Sequence, residues 1–235
     1  MKAVNFPKVL GLLAIPIVIG VALVALLIEP VEKKPVVESK MTYLTILHTN
    51  DHHAHFMKFN PYPVKDVGGL AAQSTLVNVV RAEVTGKSGN VLVLSGGDLN
   101  TGIPESDMQQ AQPDIVAMNL IGYDAMVLGN HEFDKSRETL LRQKEWAKFP
   151  FLSANVFKKG TDETLVKPYF IKEYDGLKVA VFGLTIESTP ILTLPDNVED
   201  LEFRSAIDVA KDLVPKLKKE ADVVVALTHL GYYGD

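Results

Sequence analysis

From residue 43 onward the chain alternates between two hydrophobic rhythms. Short, mainly apolar runs fall at Tyr43–Leu47, Val91–Leu94, Ala125–Leu128, Phe151–Ala154, Tyr169–Glu173, Lys178–Leu184 and Asp222–Leu227, which predicts strands. Between them, apolar positions recur at helical spacing over Gly69–Val84, Pro113–Ile121, Arg137–Lys148 and Ser205–Lys219, with a kink expected at Pro215 in the last. Asp175-Gly176 separates two alternating segments and predicts a tight hairpin turn. Strand–helix alternation with short connections implies an α/β sandwich around a largely buried sheet. No internal repeat or low-complexity tract interrupts it.

The N-terminal segment follows neither rhythm. Val9 to Ile28 is an uncharged stretch of 20 residues, broken only by Gly11, Pro16 and Gly20. As a helix it would span roughly 30 Å, the thickness of a bilayer core. Lys2 and Lys8 precede it, and Glu29, Glu32, Lys33 and Lys34 follow it. The positive-inside rule then puts the N-terminus in the cytoplasm and everything after residue 28 outside. Two readings stay open: an uncleaved inner-membrane anchor, or a signal peptide cleaved within the run near Gly20. Both imply a periplasmic or cell-surface protein. Residues 29–40 carry two prolines and mixed charge and read as a linker, leaving 41–235 as the globular domain.

Composition narrows the chemistry. A net charge of −5 gives no basic face for nucleic acid. Cysteine is absent, which removes disulfides, thiolate ligands and a catalytic thiol. Any metal must be held by His, Asp, Asn, Glu or water.

The polar residues that interrupt the apolar rhythm sit where strands end. Four of the six histidines lie in His48–His55, directly after the first strand. Asp51 and His53 there form an Asp-x-His pair able to grip one cation. Ser95-Gly96-Gly97-Asp98 follows the second strand, Gly129-Asn130-His131 the third, and Thr228-His229 the last. In open α/β sheets ligands bind beyond the carboxyl ends of the strands. Taken singly, each element has a bland reading as a turn, a helix entry, a left-handed cap or a strand-end histidine. Four together point to a metal site. Asp98 carries a carboxylate, which can bridge two cations, while Asn130 and His229 offer ligands for a second one. Two divalent ions would clamp the attacking and leaving oxygens of a phosphoryl transfer and acidify a water between them. His131 is then free to protonate the leaving oxygen, with Asp134 fixing its tautomer. Glu132 reads as structural, and His48, His52 and His55 are left to support the ligands or the fold.

These motifs resemble the calcineurin-like metallophosphoesterase superfamily, whose order is D-x-H, G-G-D, G-N-H-E and a later G-H-x-H. More narrowly, Leu47–His53, Leu94–Gly102, Pro104–Asp107, Met118–Met126, Gly129–Asp134, Trp146–Asn155 and Thr228–Gly231 resemble the bacterial periplasmic 5′-nucleotidase/UDP-sugar hydrolase family. The resemblance covers about residues 43 to 235. It implies a sandwich of mixed β-sheets flanked by helices. It assigns Asp51, His53 and Asp98 to one metal, Asp98, Asn130 and His229 to the other, and His131 with Asp134 to catalysis. The metals would be Mn, Mg, Zn or Co. The implied substrates are nucleoside 5′-monophosphates and nucleotide sugars, with a 2′,3′-cyclic-nucleotide phosphodiesterase or an inactive, membrane-tethered metal-binding fragment as alternatives. Two features of the family do not appear before Asp235: the G-H-x-H motif and the C-terminal substrate-binding domain. The expectation is therefore a catalytic domain that is incomplete at its C-terminus. Ala54 stands where a glycine is common in the family.

Overall fold

A computed structural model describes residues 41–231. The apolar run at 9–28 and the linker at 29–40 lie outside the described residues. Among those described, no helix is long and apolar enough to cross a membrane.

Strand β1 (Leu44–Thr49) leads through a long loop into helix α1 (Leu70–Gly86) and then β2 (Asn90–Ser95). A short helix α2 (Pro104–Asp107) and α3 (Gln112–Ile121) precede β3 (Ala125–Val127). A 3-10 turn at His131–Phe133, helix α4 (Arg137–Trp146), β4 (Phe151–Leu152) and β5 (Val156–Lys158) follow. The hairpin β6 (Tyr169–Tyr174) and β7 (Leu177–Thr185) comes next. The chain continues through α5 (Thr189–Leu192), β8 (Leu201–Phe203), α6 (Ala206–Glu220) and β9 (Val223–His229).

The strands form two main sheets. The first is wholly parallel, in the order β1-β2-β3-β4, and the second is mixed, in the order β6-β7-β9. A small antiparallel pair, β5-β8, stands apart.

Period-two alternation along the strands explains the layering. In β2, Leu92 and Leu94 join Ala125, Val127, Leu152, Val179, Val181 and Leu227 in a core between the two sheets. Val93, one residue out of phase, faces the other way and packs with Leu70 and Val77 of α1, Ile115 and Met118 of α3, and Leu140 of α4. In β7, Ala180, Phe182 and Leu184 turn outward onto Leu217 and Val214 of α6. The result is a four-layer arrangement of helices, sheet, sheet and helix. A strand such as β7, covered on both faces, therefore reads as a continuous apolar run rather than an alternating one.

The sheet that the strand–helix alternation suggests is thus two sheets, and the strand ends that meet come from both. β1, β2 and β3 belong to the first sheet and β9 to the second.

Candidate metal centre

Parallel pairing of β1 with β2 runs in register up to Thr49 opposite Ser95 and continues past both strand ends. The Asp51 N–H donates to the Gly97 carbonyl (3.0 Å), and the His53 N–H to that of Asp98 (3.0 Å). This extended ladder sets Asp51 and His53 beside Asp98. The backbone there leaves ordinary L-residue space: φ is 53° at Asp51, 47° at His53, 58° at Ala54 and 54° at Asp98. Such conformations cost on the order of 1–2 kcal/mol per non-glycine residue and concentrate at functional sites. Ala54 is therefore not a neutral departure from glycine, because a glycine would adopt φ 58° without that cost. Gly97 (φ 89°) and Gly129 solve a different problem. A Cβ on Gly97 would lie 2.7 Å from the Gly129 nitrogen, and one on Gly129 would lie 2.2 Å from Asp98 Oδ1.

Asp98 is the centre of the arrangement and is nearly inaccessible, with 3% of its surface exposed. Its Oδ1 accepts from the His131 N–H (2.9 Å). Its Oδ2 lies 3.2 Å from His229 Nε2 and 3.8 Å from His53 Nε2. Two groups of potential ligand atoms result, Asp51–Asp98–His229 and His53–Asp98–His131, each with its atoms within 4.8 Å of one another. They share Asp98.

The histidines are oriented by backbone carbonyls. His53 Nδ1 faces the carbonyls of Asn100 (3.2 Å) and Thr101 (3.1 Å), and His229 Nδ1 faces that of Gly96 (2.7 Å). A carbonyl only accepts, so Nδ1 carries a proton in both rings and Nε2 is turned into the cluster, where it can ligate a metal once it is free of its own proton. Burial pulls the His229 pKa down, but the Asp98 carboxylate and the Gly96 carbonyl outweigh it and push it up to about 9. Burial pushes Asp98 up, and its bonds to His229 and His131 reverse that, leaving it below its usual value. A divalent cation would take the place of that proton. The donor set, imidazole and carboxylate without thiolate, fits a borderline or hard divalent ion.

His131 Nδ1 pairs with Asp134 Oδ2 at 2.6 Å. Burial lowers the His131 pKa, while the Asp134 hydrogen bond and the charges of Asp98, Asp134 and Glu132 raise it, with a net rise. Its ring meets that of His53 edge-on, 4.8 Å between centroids. Asn130 is half-buried between two anchored neighbours, since the Gly129 N–H donates to Glu132 (2.7 Å) and the His131 N–H to Asp98. A cleft of about 530 Å³, lined in part by Asn50, Asp51, Gly96, Thr228 and His229, opens beside the cluster.

The sequence leaves Glu132 to structure and His52 and His55 to the support of the ligands or the fold, and the contacts agree. Glu132 is fully buried and gathers the N–H groups of Asp98 (2.9 Å), Leu99 (2.8 Å), Asn100 (3.3 Å) and Gly129 (2.7 Å) on its two oxygens. It ties the loop after β2 to the loop after β3. His52, between two candidate ligands, bonds buried Asp114 of α3 (3.0 Å), which also accepts from Ser106. His55 Nδ1 bonds the His53 carbonyl (2.7 Å), whereas His48 stays exposed on β1. No local signal reveals the Asp114 and Glu132 contacts, because each joins segments about 30 to 60 residues apart.

Residues 44–235 match the calcineurin-like phosphoesterase family. Protein UshA of Escherichia coli (strain K12) is 50% identical over 199 residues, covering 83% of this chain and 36% of that protein. A 5′-nucleotidase of Vibrio cholerae is 49% identical, covering 83% of this chain and 35% of its own length. The solved Haemophilus influenzae NAD nucleotidase superposes with a TM-score of 0.71 at 32% identity, over 81% of this chain and 34% of that one. The chain thus spans about a third of the length of these relatives. With a match that runs through nearly every described residue, this chain belongs to the calcineurin-like phosphoesterase family.

Proposed function

We propose that this domain is the catalytic part of an extracytoplasmic two-metal phosphohydrolase that removes phosphate from nucleoside 5′-monophosphates and acts on nucleotide sugars. The observation that carries the reading is Asp98, one buried carboxylate common to two groups of ligand atoms. The family resemblance divides the ligands as Asp51, His53 and Asp98 for one divalent ion and Asp98, Asn130 and His229 for the other, whereas the distances group Asp51 with Asp98 and His229, and His53 with Asp98 and His131; Asp98 is common to both divisions. The ions would supply an acidified water and neutralise charge on the phosphoryl oxygens.

The protein's own residues do the rest. Glu132 ties the two ligand-bearing loops together, so Asp98 would be held in place for both ions before they bind. Asp134 holds His131 by Nδ1, leaving Nε2 to carry a proton to the leaving alkoxide. Against the lowering effect of burial, the Asp134 hydrogen bond and the surrounding carboxylate charges raise the His131 pKa, which favours the protonated form. The names of the relatives, 5′-nucleotidase and NAD nucleotidase, favour nucleotides as the substrate class.

Phosphate release from AMP, UDP-glucose and a 2′,3′-cyclic nucleotide, with Mn²⁺, Mg²⁺, Zn²⁺ or Co²⁺, tests the proposal. Release from AMP is expected to fall by a factor of at least about 10³ in Asp98→Ala. Release that survives this change would refute the two-metal reading. Release from the cyclic nucleotide alone would transfer the assignment to a phosphodiesterase.

A further inference from the structure

Thr101 is a β-branched residue with φ 63°, a conformation such residues rarely adopt. Its side chain is half-buried. The hydroxyl donates to Asp134 Oδ2 at 2.5 Å. The same oxygen takes the His131 Nδ1 bond at 2.6 Å. In the other direction, the Thr101 carbonyl faces His53 Nδ1 at 3.1 Å. The rings of His53 and His131 then meet edge-on. One residue thereby touches both a candidate metal ligand and the carboxylate that orients the candidate proton donor.

The backbone conformation sharpens the point. A glycine or asparagine would occupy φ 63° at lower cost, but glycine would bring no hydroxyl. An Asp134 held only by His131 could rotate about its own side-chain bonds and carry the imidazole with it. With Oδ2 fixed from a second side, that freedom is lost.

We propose that Thr101 is a positioning residue: its hydroxyl locks Asp134, and through Asp134 it keeps His131 in one orientation towards the Asp98 cluster. This rests on the role given to His131 above, and the test separates the two. Thr101→Val keeps the branched shape and the carbonyl and removes only the hydroxyl. Thr101→Ser restores the hydroxyl.

In the full chain, Thr101→Val is expected to lower kcat for AMP about tenfold with KM within about twofold, and Thr101→Ser to recover most of the loss. Divalent-ion affinity, measured by calorimetry, stays within about twofold in both, because His53 keeps its carbonyl partner. A readout independent of turnover is the His131 Nδ1 proton in NMR at fixed pH. It should be sharp in the parent and in Thr101→Ser and broadened by exchange with water in Thr101→Val. An unchanged resonance in Thr101→Val overturns the proposal. So does a loss of metal affinity that Thr101→Ser fails to restore, since that marks a merely structural side chain. If the parent chain releases no phosphate, the functional reading falls and the resonance alone decides the role of Thr101. Should Thr101→Val fail to fold, Thr101→Ala gives the same readouts.

Discussion

Between Asp98 and His229 a proton and the proposed divalent cation would compete for one position. The His229 pKa, raised from 6.5 to about 9, means that the ion pair stabilises the chain fully below pH 6.5. That contribution is lost as the pH rises towards 9. With a chelator present, the melting temperature is therefore expected to decline across this window, and His229→Asn should flatten the decline. Divalent-ion affinity should run the opposite way and rise with pH over the same interval, because the ion requires the neutral imidazole. Calorimetric titrations at several pH values check the sign. Glu132 offers a second test at this scale. Burial and the neighbouring Asp98 charge push its carboxyl upward, and its N–H partners oppose them. Glu132→Gln would turn an amide N–H₂ towards two of those N–H groups. The expected cost is about 2 kcal/mol, or roughly 4–8 °C in melting temperature. Asp51, His53, Asp98, Asn130, His131, Asp134 and His229 were all legible as candidates, because each follows an apolar run. Thr101 and Asp114 were not, because their partners are far away in the chain, and Glu132 was legible as structural without the distant N–H groups it gathers.

Most elements follow from the hydrophobic rhythm to within one or two residues, for a physical reason. Strands buried on both faces need unbroken apolar runs, and amphipathic helices need a stripe. The Asp175-Gly176 turn has φ 43° and 85°, the paired positive values of a type I′ hairpin. Helix α6 runs through Pro215, and Ser205 caps its start by accepting from the Asp208 N–H (3.3 Å). The β5-β8 pair escaped notice because three residues on each side carry too short a pattern. What joins the elements into a site is the spacing of the two sheets, and Gly183 sets part of it. A Cβ there would lie 2.7 Å from the carbonyl carbon and the Cβ of Leu152. Gly183→Ala is expected to push β7 away from β4, at a cost of about 1–3 kcal/mol. Since β9 pairs with β7, His229 would move relative to Asp98. Metal titration of this variant should show weakened binding, although residue 183 touches no ligand.

For the whole molecule, the proposed metal binding would be linked to folding, because the candidate ligand set exists only when both sheets are assembled. A divalent ion at about 100 times its dissociation constant should add roughly 2.7 kcal/mol, near 5–10 °C in melting temperature. EDTA should reverse the gain, and Asp98→Ala should abolish it. A gain that survives Asp98→Ala would place the ion elsewhere. The sequence by itself determined the α/β class, the strand ends and the set of groups able to bind a cation, since local periodicity and residue chemistry suffice for these. Only the tertiary structure decided that the site spans two sheets rather than the edge of one. It also decided which residues reach across to Asp98 and its neighbours: Glu132 gathers N–H groups of both loops, and Thr101 donates to Asp134. Those facts depend on distances between segments remote in the chain, and no local pattern records them.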